Sequence, residues 1–253
     1  MVRGLDLFKA QFSEHTQEFV LIGGTASTVV MEQAGLEFRA TKDLDVVLHV
    51  EVLTPAFGEK FWAFVKAGGY QVRETSTTER RHFYRFQKPT DLKYPAMIEL
   101  FARKPDLMHP IADGTLTPIP FEDDITSLSA ILLDDDYYKF IMDGRVVIDG
   151  LPLVKEDRII ALKAAAWMEL TQRRNSGEKV DSANVRKHIN DVLRLSQLLT
   201  PDTSISIQGK ILEDMRRFID AARAEPNLDP KQLTINTTVD TLLDRVAEAY
   251  GIA

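Results

Sequence analysis

The stretch RATKDLDVVL, residues 39–48, places two aspartates two positions apart at the start of a run rich in β-branched and apolar residues. The run LDVVLHV, residues 44–50, reads as a strand. Side chains alternate faces along a strand, so Asp43 and Asp45 project to one side and Leu44 to the other. Two carboxylates held side by side repel each other unless a positive charge lies between them. A divalent cation meets that need. Magnesium takes hard oxygen ligands, commonly one or two carboxylates plus substrate phosphates, and paired metals serve phosphoryl chemistry at both the attacking and the leaving oxygen. The other acidic run, Asp134, Asp135 and Asp136, reads as a solvated turn.

Upstream lies LIGGTAS, Leu21 to Ser27. FVLIG (19–23) reads as a short buried strand and TASTVVMEQAG (25–35) as a helix ending at Gly35. Between them Gly23 and Gly24 turn the chain and let backbone come close to a ligand. The helix N-terminus that follows favours an anion. Thr25 is placed either to cap that helix or to donate its hydroxyl to a phosphate. The turn matches neither GxxxxGK[ST] nor GxGxxG. Downstream, Glu99 interrupts the apolar strand AMIELFA (96–102). A carboxylate there is seldom buried without a partner, and as a third acidic group it joins Asp43 and Asp45.

Working outward, residues 5–17 read as an amphipathic helix. PAFGEKFWAFVKAGG (55–69) has proline in the first turn of a helix and a double-glycine stop. YQVRE (70–74) and RHFYRFQK (81–88) read as strands. The stretch 103–150 is looser, with strand-like RVVIDG at 145–150. From Glu156 the pattern turns helical, over 156–173, 182–199, 206–224 and 237–250. The expected fold is therefore mixed α/β of the α+β kind, with a first domain over 1–152 and a helical domain over 153–253.

The 253 residues carry a net charge of −7 and no cysteine. The composition excludes disulfides, zinc-thiolate sites and cysteine nucleophiles. An acidic chain that meets RNA does so through local basic stretches, and ERRHFYRFQK (79–88) and QRRNSGEKVDSANVRKH (172–188) are the candidates. No stretch approaches the roughly 20 apolar residues of a membrane span, and the N-terminus has no apolar core of a leader. The expected location is the cytoplasm, with no membrane partner.

The helix over 157–173 adds an independent observation. Ile159, Ile160, Leu162, Ala166, Trp167 and Leu170 form an apolar stripe, and Lys163 falls inside it. A lysine facing a core needs an anion, sheds its proton or snorkels to water. A nucleotide phosphate or a catalytic carboxylate satisfies it best. On the next helix, in VRKHINDVLRL, Asp191 lies off the arc of Val185, Ile189, Val192 and Ser196. That position reads as a surface pair with Lys187 or Arg194.

In this order the pieces resemble the polymerase-beta-type nucleotidyltransferase superfamily, and more closely its AbiEii-like branch from type IV toxin–antitoxin systems. The resemblance is carried by Gly23-Gly24-Thr25, by Arg39, Thr41, Asp43, Leu44 and Asp45 as R-x-T-x-D-L-D, by Lys163, and by Asp191 in KHINDVLRL. It implies a nucleotidyltransferase-type mixed sheet with flanking helices. It also implies Asp43, Asp45 and Glu99 as ligands of Mg2+ or Mn2+, and Gly23, Gly24, Thr25, Arg39, Thr41 and Lys163 as contacts of a nucleoside triphosphate such as ATP. Lys163 and Asp191 would join the catalytic set. The implied reaction passes a nucleoside monophosphate to an acceptor, RNA, tRNA or protein for a toxin, with an antitoxin as partner. Small-molecule transfer of the antibiotic-modifying type and non-catalytic nucleotide binding are the alternatives. Glu99 departs from the aspartate that many relatives carry.

Overall fold

The computed structural model describes residues 2–74, 83–101, 117–118, 131–132 and 134–252. They fall into two compact units. The first holds residues 1–32, 37–121 and 142–155, and the second holds 33–36, 122–141 and 156–253. Most of the looser stretch 103–150 and residues 79–82 of the first basic run lie outside the described residues.

The first unit is built on a mixed sheet. Its strands are β1 (Phe19–Ile22), β2 (Asp43–Leu48), β3 (Gln71–Glu74), β4 (Phe83–Gln87), β5 (Met97–Phe101), β6 (Thr117–Pro118), β7 (Arg145–Ile148) and β8 (Leu151–Val154). Their order among the described residues is β6-β3-β4-β5-β2-β1-β8-β7. β2 runs antiparallel to β1 and parallel to β5, and β1 runs parallel to β8. Strands covered on both faces read as continuous apolar runs. FVLI of β1 and LPLV of β8 are such runs, with every residue buried.

Among its described residues this unit holds the helices α1 (Leu5–Gln11), nearly all of α2 (Gly23–Gln33) and α3 (Pro55–Gly68). The ends of α3 follow from its sequence. Thr54 caps it by accepting from the Phe57 amide at 3.3 Å, Pro55 opens the first turn, and Gly69 closes it in the left-handed region at φ 61. Its apolar face meets the sheet through a cluster of aromatic rings. Phe12 lies 5.5 Å from Phe57 and from Phe64, and Phe61 lies 5.4 Å from Phe86. Such rings supply much of a core's burial.

The second unit is helical in its described residues. It contains most of α4 (Asp135–Asp143), then α5 (Glu156–Asn175), α6 (Ser182–Leu195), α7 (Gly209–Ala224) and α8 (Val239–Ala249). Two sequence expectations change here. Asp134, Asp135 and Asp136 open a helix instead of forming a solvated turn. Asp134 accepts from the amides of Asp136 and Tyr137 at 3.1 and 3.3 Å, and Lys210 meets it at 2.8 Å. Acidic groups suit a helix N-terminus. Second, α5 is not striped: Ile159 to Trp167 are all buried. Trp167 packs edge-on against Phe218 at 5.5 Å. No helix among the described residues is long and apolar enough to cross a membrane.

Candidate functional site

β1 passes into α2 with no intervening loop, and Gly23 makes the turn at φ 64. This is a conformation that side chains resist. A Cβ on Gly23 would lie 1.9 Å from Oδ2 of Asp45, and one on Gly24 would lie 2.4 Å from Oγ1 of Thr41. The two glycines are therefore the space into which the R-x-T-x-D-L-D element packs. Thr25 is fully buried and its hydroxyl donates to the Asp43 carbonyl at 2.7 Å. Because α2 begins at Gly23, Thr25 is neither the cap of the helix nor turned to an outside phosphate. It ties α2 to β2. Ser27 and Thr28 donate back to the Gly23 and Gly24 carbonyls at 2.7 and 3.0 Å, a local pattern common for hydroxyls inside helices.

Register brings the third carboxylate to the same place. Asp45 stands opposite Glu99 across the parallel β2–β5 pair, and Glu99 stands opposite Arg85 across the antiparallel β5–β4 pair. Residues directly opposite share a face, so Asp45, Glu99 and Arg85 form one row. All three are buried, at 8, 7 and 5% exposure. Nε and Nη2 of Arg85 both donate to Oε1 of Glu99, at 2.9 and 2.6 Å. Burial first, and then the charge of Asp45, push the Glu99 carboxyl well above the ordinary carboxylate range, against the opposing pull of Arg85. A side-chain hydrogen bond between Glu99 and Asp45 acts in the same upward direction. The Arg85 guanidinium partners the buried carboxyl pair from one side.

Sequence reasoning missed Arg85 as a partner of Glu99 and read its stretch as a strand and a candidate basic patch for RNA. The signal was present. Arg85 sits between Tyr84 and Phe86, which are both buried, just as Glu99 sits between Ile98 and Leu100. Two charges with apolar neighbours on adjacent strands call for each other once the strands pair.

Asp43 is half-buried and lies on the same side of β2 as Asp45, as alternation requires. Arg39 is half-buried, with its guanidinium 5.4 Å from the centre of the Phe38 ring. Among the described residues no trio of His, Asp or Glu is disposed to hold a metal ion. The donor set of Asp43 and Asp45 fits a hard cation that completes its shell with phosphate oxygens. Glu99, with Oε1 on Arg85, fits the role of a partner to Asp45 better than that of a third ligand.

Lys163 and Asp191 form a constellation within the second unit. Nζ of Lys163 lies 3.0 Å from Oδ2 of Asp191, and Nη1 of Arg194 lies 3.5 Å from Oδ1. Asp191 has no exposed surface. It is not the surface residue that helical spacing suggested, because His188, Asp191 and Leu195 form a second buried arc on α6. The anion that meets Lys163 is this carboxylate.

Compared with models of known protein families and with curated proteins, the chain matches none.

Proposed function

We propose that the chain is a magnesium-dependent nucleotidyltransferase: an acceptor oxygen or nitrogen bonds to the α-phosphorus of a nucleoside triphosphate, the α–β phosphoanhydride bond breaks, and pyrophosphate leaves. The observation that carries this reading is the packing of Asp45 and Thr41 against Gly23 and Gly24. It sets paired carboxylates beside a strand-to-helix turn, where backbone amides and the helix dipole favour a phosphate chain. The resemblance of Gly23-Gly24-Thr25 and R-x-T-x-D-L-D to the AbiEii-like nucleotidyltransferases supports it.

In this reading the turn at Gly23 and Gly24 holds phosphate through the backbone, with Arg39 as a further cationic contact. Asp43 and Asp45 hold the cation. Bound there, magnesium would neutralise phosphate charge and favour ionisation of the attacking hydroxyl. Glu99 and Arg85 act as positioning residues, fixing the rotamer of Asp45. Asp191 orients the Lys163 ammonium for its expected part in the chemistry. RNA, tRNA or a protein is the proposed acceptor, as for a toxin held in check by an antitoxin.

The experiment is incubation with each labelled triphosphate, magnesium, total RNA and cell extract. Asp43→Asn and Asp45→Asn each remove charge without changing shape. Each is expected to lower transfer on the order of a hundredfold or more, with melting no lower than wild type for Asp45→Asn. Full activity in both variants would refute the reading. A label appearing only on small molecules would redirect it to antibiotic-type chemistry.

A further inference from the structure

Beside Asp43, within the first unit, the starts of β2 and β5 and the end of β4 border an open cavity of about 320 Å³. Its wall includes Arg3, Lys42, Asp43, Lys88, Leu92 and Met97. Three cations thus face one carboxylate in a chain whose net charge is −7. Arg3 is anchored through Nε, which donates to the Tyr94 carbonyl at 2.9 Å. Lys42 and Lys88 are exposed, and neither forms an ion pair among the described residues. Lys88 holds a left-handed backbone at φ 52 directly before Pro89, a conformation that costs a non-glycine residue free energy and often marks a working site. Leu92 is 71% exposed, a large apolar side chain presented at the rim of a charged cavity.

We propose that this cavity is a subsite for a phosphate ester of nucleotide size, with its phosphate on Lys42 and Lys88 and its apolar body against Leu92 and Met97. The chemistry is selective in three ways. A net positive wall attracts an anion where the rest of the protein repels one. Lysines suit phosphate as point charges. The volume lies at the small end of ligand cavities, which suits a single nucleotide or the terminal nucleotide of a chain. Asp45 faces the glycine turn and Asp43 lines this cavity, so the carboxylate pair separates two phosphate-binding places. The role of the cavity as the acceptor side rests on the nucleotidyltransferase reading; the binding itself does not.

Calorimetry of the full chain at low salt tests it, with adenosine monophosphate, adenosine and inorganic phosphate as probes. The monophosphate is expected to bind, and adenosine and phosphate to bind much more weakly. The double variant Lys42→Ala, Lys88→Asn removes both charges, and asparagine tolerates the left-handed backbone. It is expected to lose roughly tenfold in affinity. Leu92→Asp, at an exposed position, is expected to lose affinity as well, and Lys179→Ala, in the other unit, to lose none. A short single-stranded oligoribonucleotide ending in a phosphate separates the sources. Tighter binding than the monophosphate, lost in the double variant, identifies a chain end; binding of the monophosphate alone identifies a free nucleotide. Monophosphate affinity that is unchanged in both the double variant and Leu92→Asp, or absent from wild type, overturns the proposal. A wild type that binds through Lys42 and Lys88 but transfers nothing sinks the transferase reading and leaves the subsite. Transfer by a protein whose binding ignores those lysines does the reverse.

Discussion

Lys163→Met deletes a charge that faces Asp191 at 3.0 Å and leaves that carboxylate with no exposed surface. Removing one member of a buried pair commonly costs about 3–5 kcal/mol. Two features of this site limit the loss. Arg194 remains 3.5 Å from Oδ1. The carboxyl can also escape by taking up a proton, which for an ordinary aspartic acid costs about 4 kcal/mol at pH 7 and about 1.5 kcal/mol at pH 5. The expected destabilisation is therefore about 3 kcal/mol near neutrality, shrinking as the solution is acidified. With a urea slope of about 2 kcal/mol/M, the midpoint falls by about 1.5 M. The two tryptophans make the assay specific, because Trp62 lies in the first unit and Trp167 in the second. In a Trp62→Phe background, Trp167 fluorescence follows the unit that contains the pair. The double variant Lys163→Met, Asp191→Leu replaces both charges with apolar groups and is expected to regain most of the loss. A urea midpoint for Lys163→Met equal to that of its background at neutral pH would refute the ion-pair reasoning.

Further outcomes follow from the glycine turn and from the buried tyrosines. Gly24→Ala is expected to destabilise by about 1–3 kcal/mol, because the new methyl group meets Oγ1 of Thr41 at 2.4 Å. Thr41→Ala in the same chain should recover much of the loss, as read by urea unfolding, and an unchanged midpoint for Gly24→Ala alone would contradict the close approach. Burial above all raises the hydroxyl pKa of Tyr70, Tyr137 and Tyr250, and Asp214 adds to the effect at Tyr137. The stability of the neutral hydroxyls is fully present below about pH 10 and falls above it, since the unfolded chain releases protons that the folded chain retains. Chemical denaturation between about pH 8 and pH 11 should show this fall, and Tyr137→Phe should flatten it. A stability that does not change with pH over that range would show that these hydroxyls ionise as freely in the folded chain.

What the sequence made legible was local. The alternation in DLDVVL and the caps around α3 each rest on a few neighbouring residues, and their elements form where expected. Glu156 likewise opens a helix. Partnership was harder to read. Glu99 looked anomalous in an apolar strand, but its ligand, Arg85, depends on β4 pairing with β5 in one register, and that register is a tertiary fact. Asp191 misled because helical spacing reports one buried arc, whereas α6 has two. Lys163 was anomalous for a sound reason, and its anion proved to be a side chain of the next helix. Thr25 was ambiguous between a cap and a phosphate ligand until the starting point of α2 was known.

The position of β1 carries a consequence for how the chain is made. It is flanked by β2, which follows closely, and by β8, with which Leu21 pairs at Leu153 near the far end of the first unit. Pairings so distant along the chain close slowly, because loop entropy is lost before contacts form. While the chain leaves the ribosome, β1 gains one neighbour early and waits for the other until Leu151–Val154 has been synthesised. A chain cut short of Leu151 would leave the backbone edge of FVLI open, and an open edge on an apolar strand is a template for pairing with another molecule.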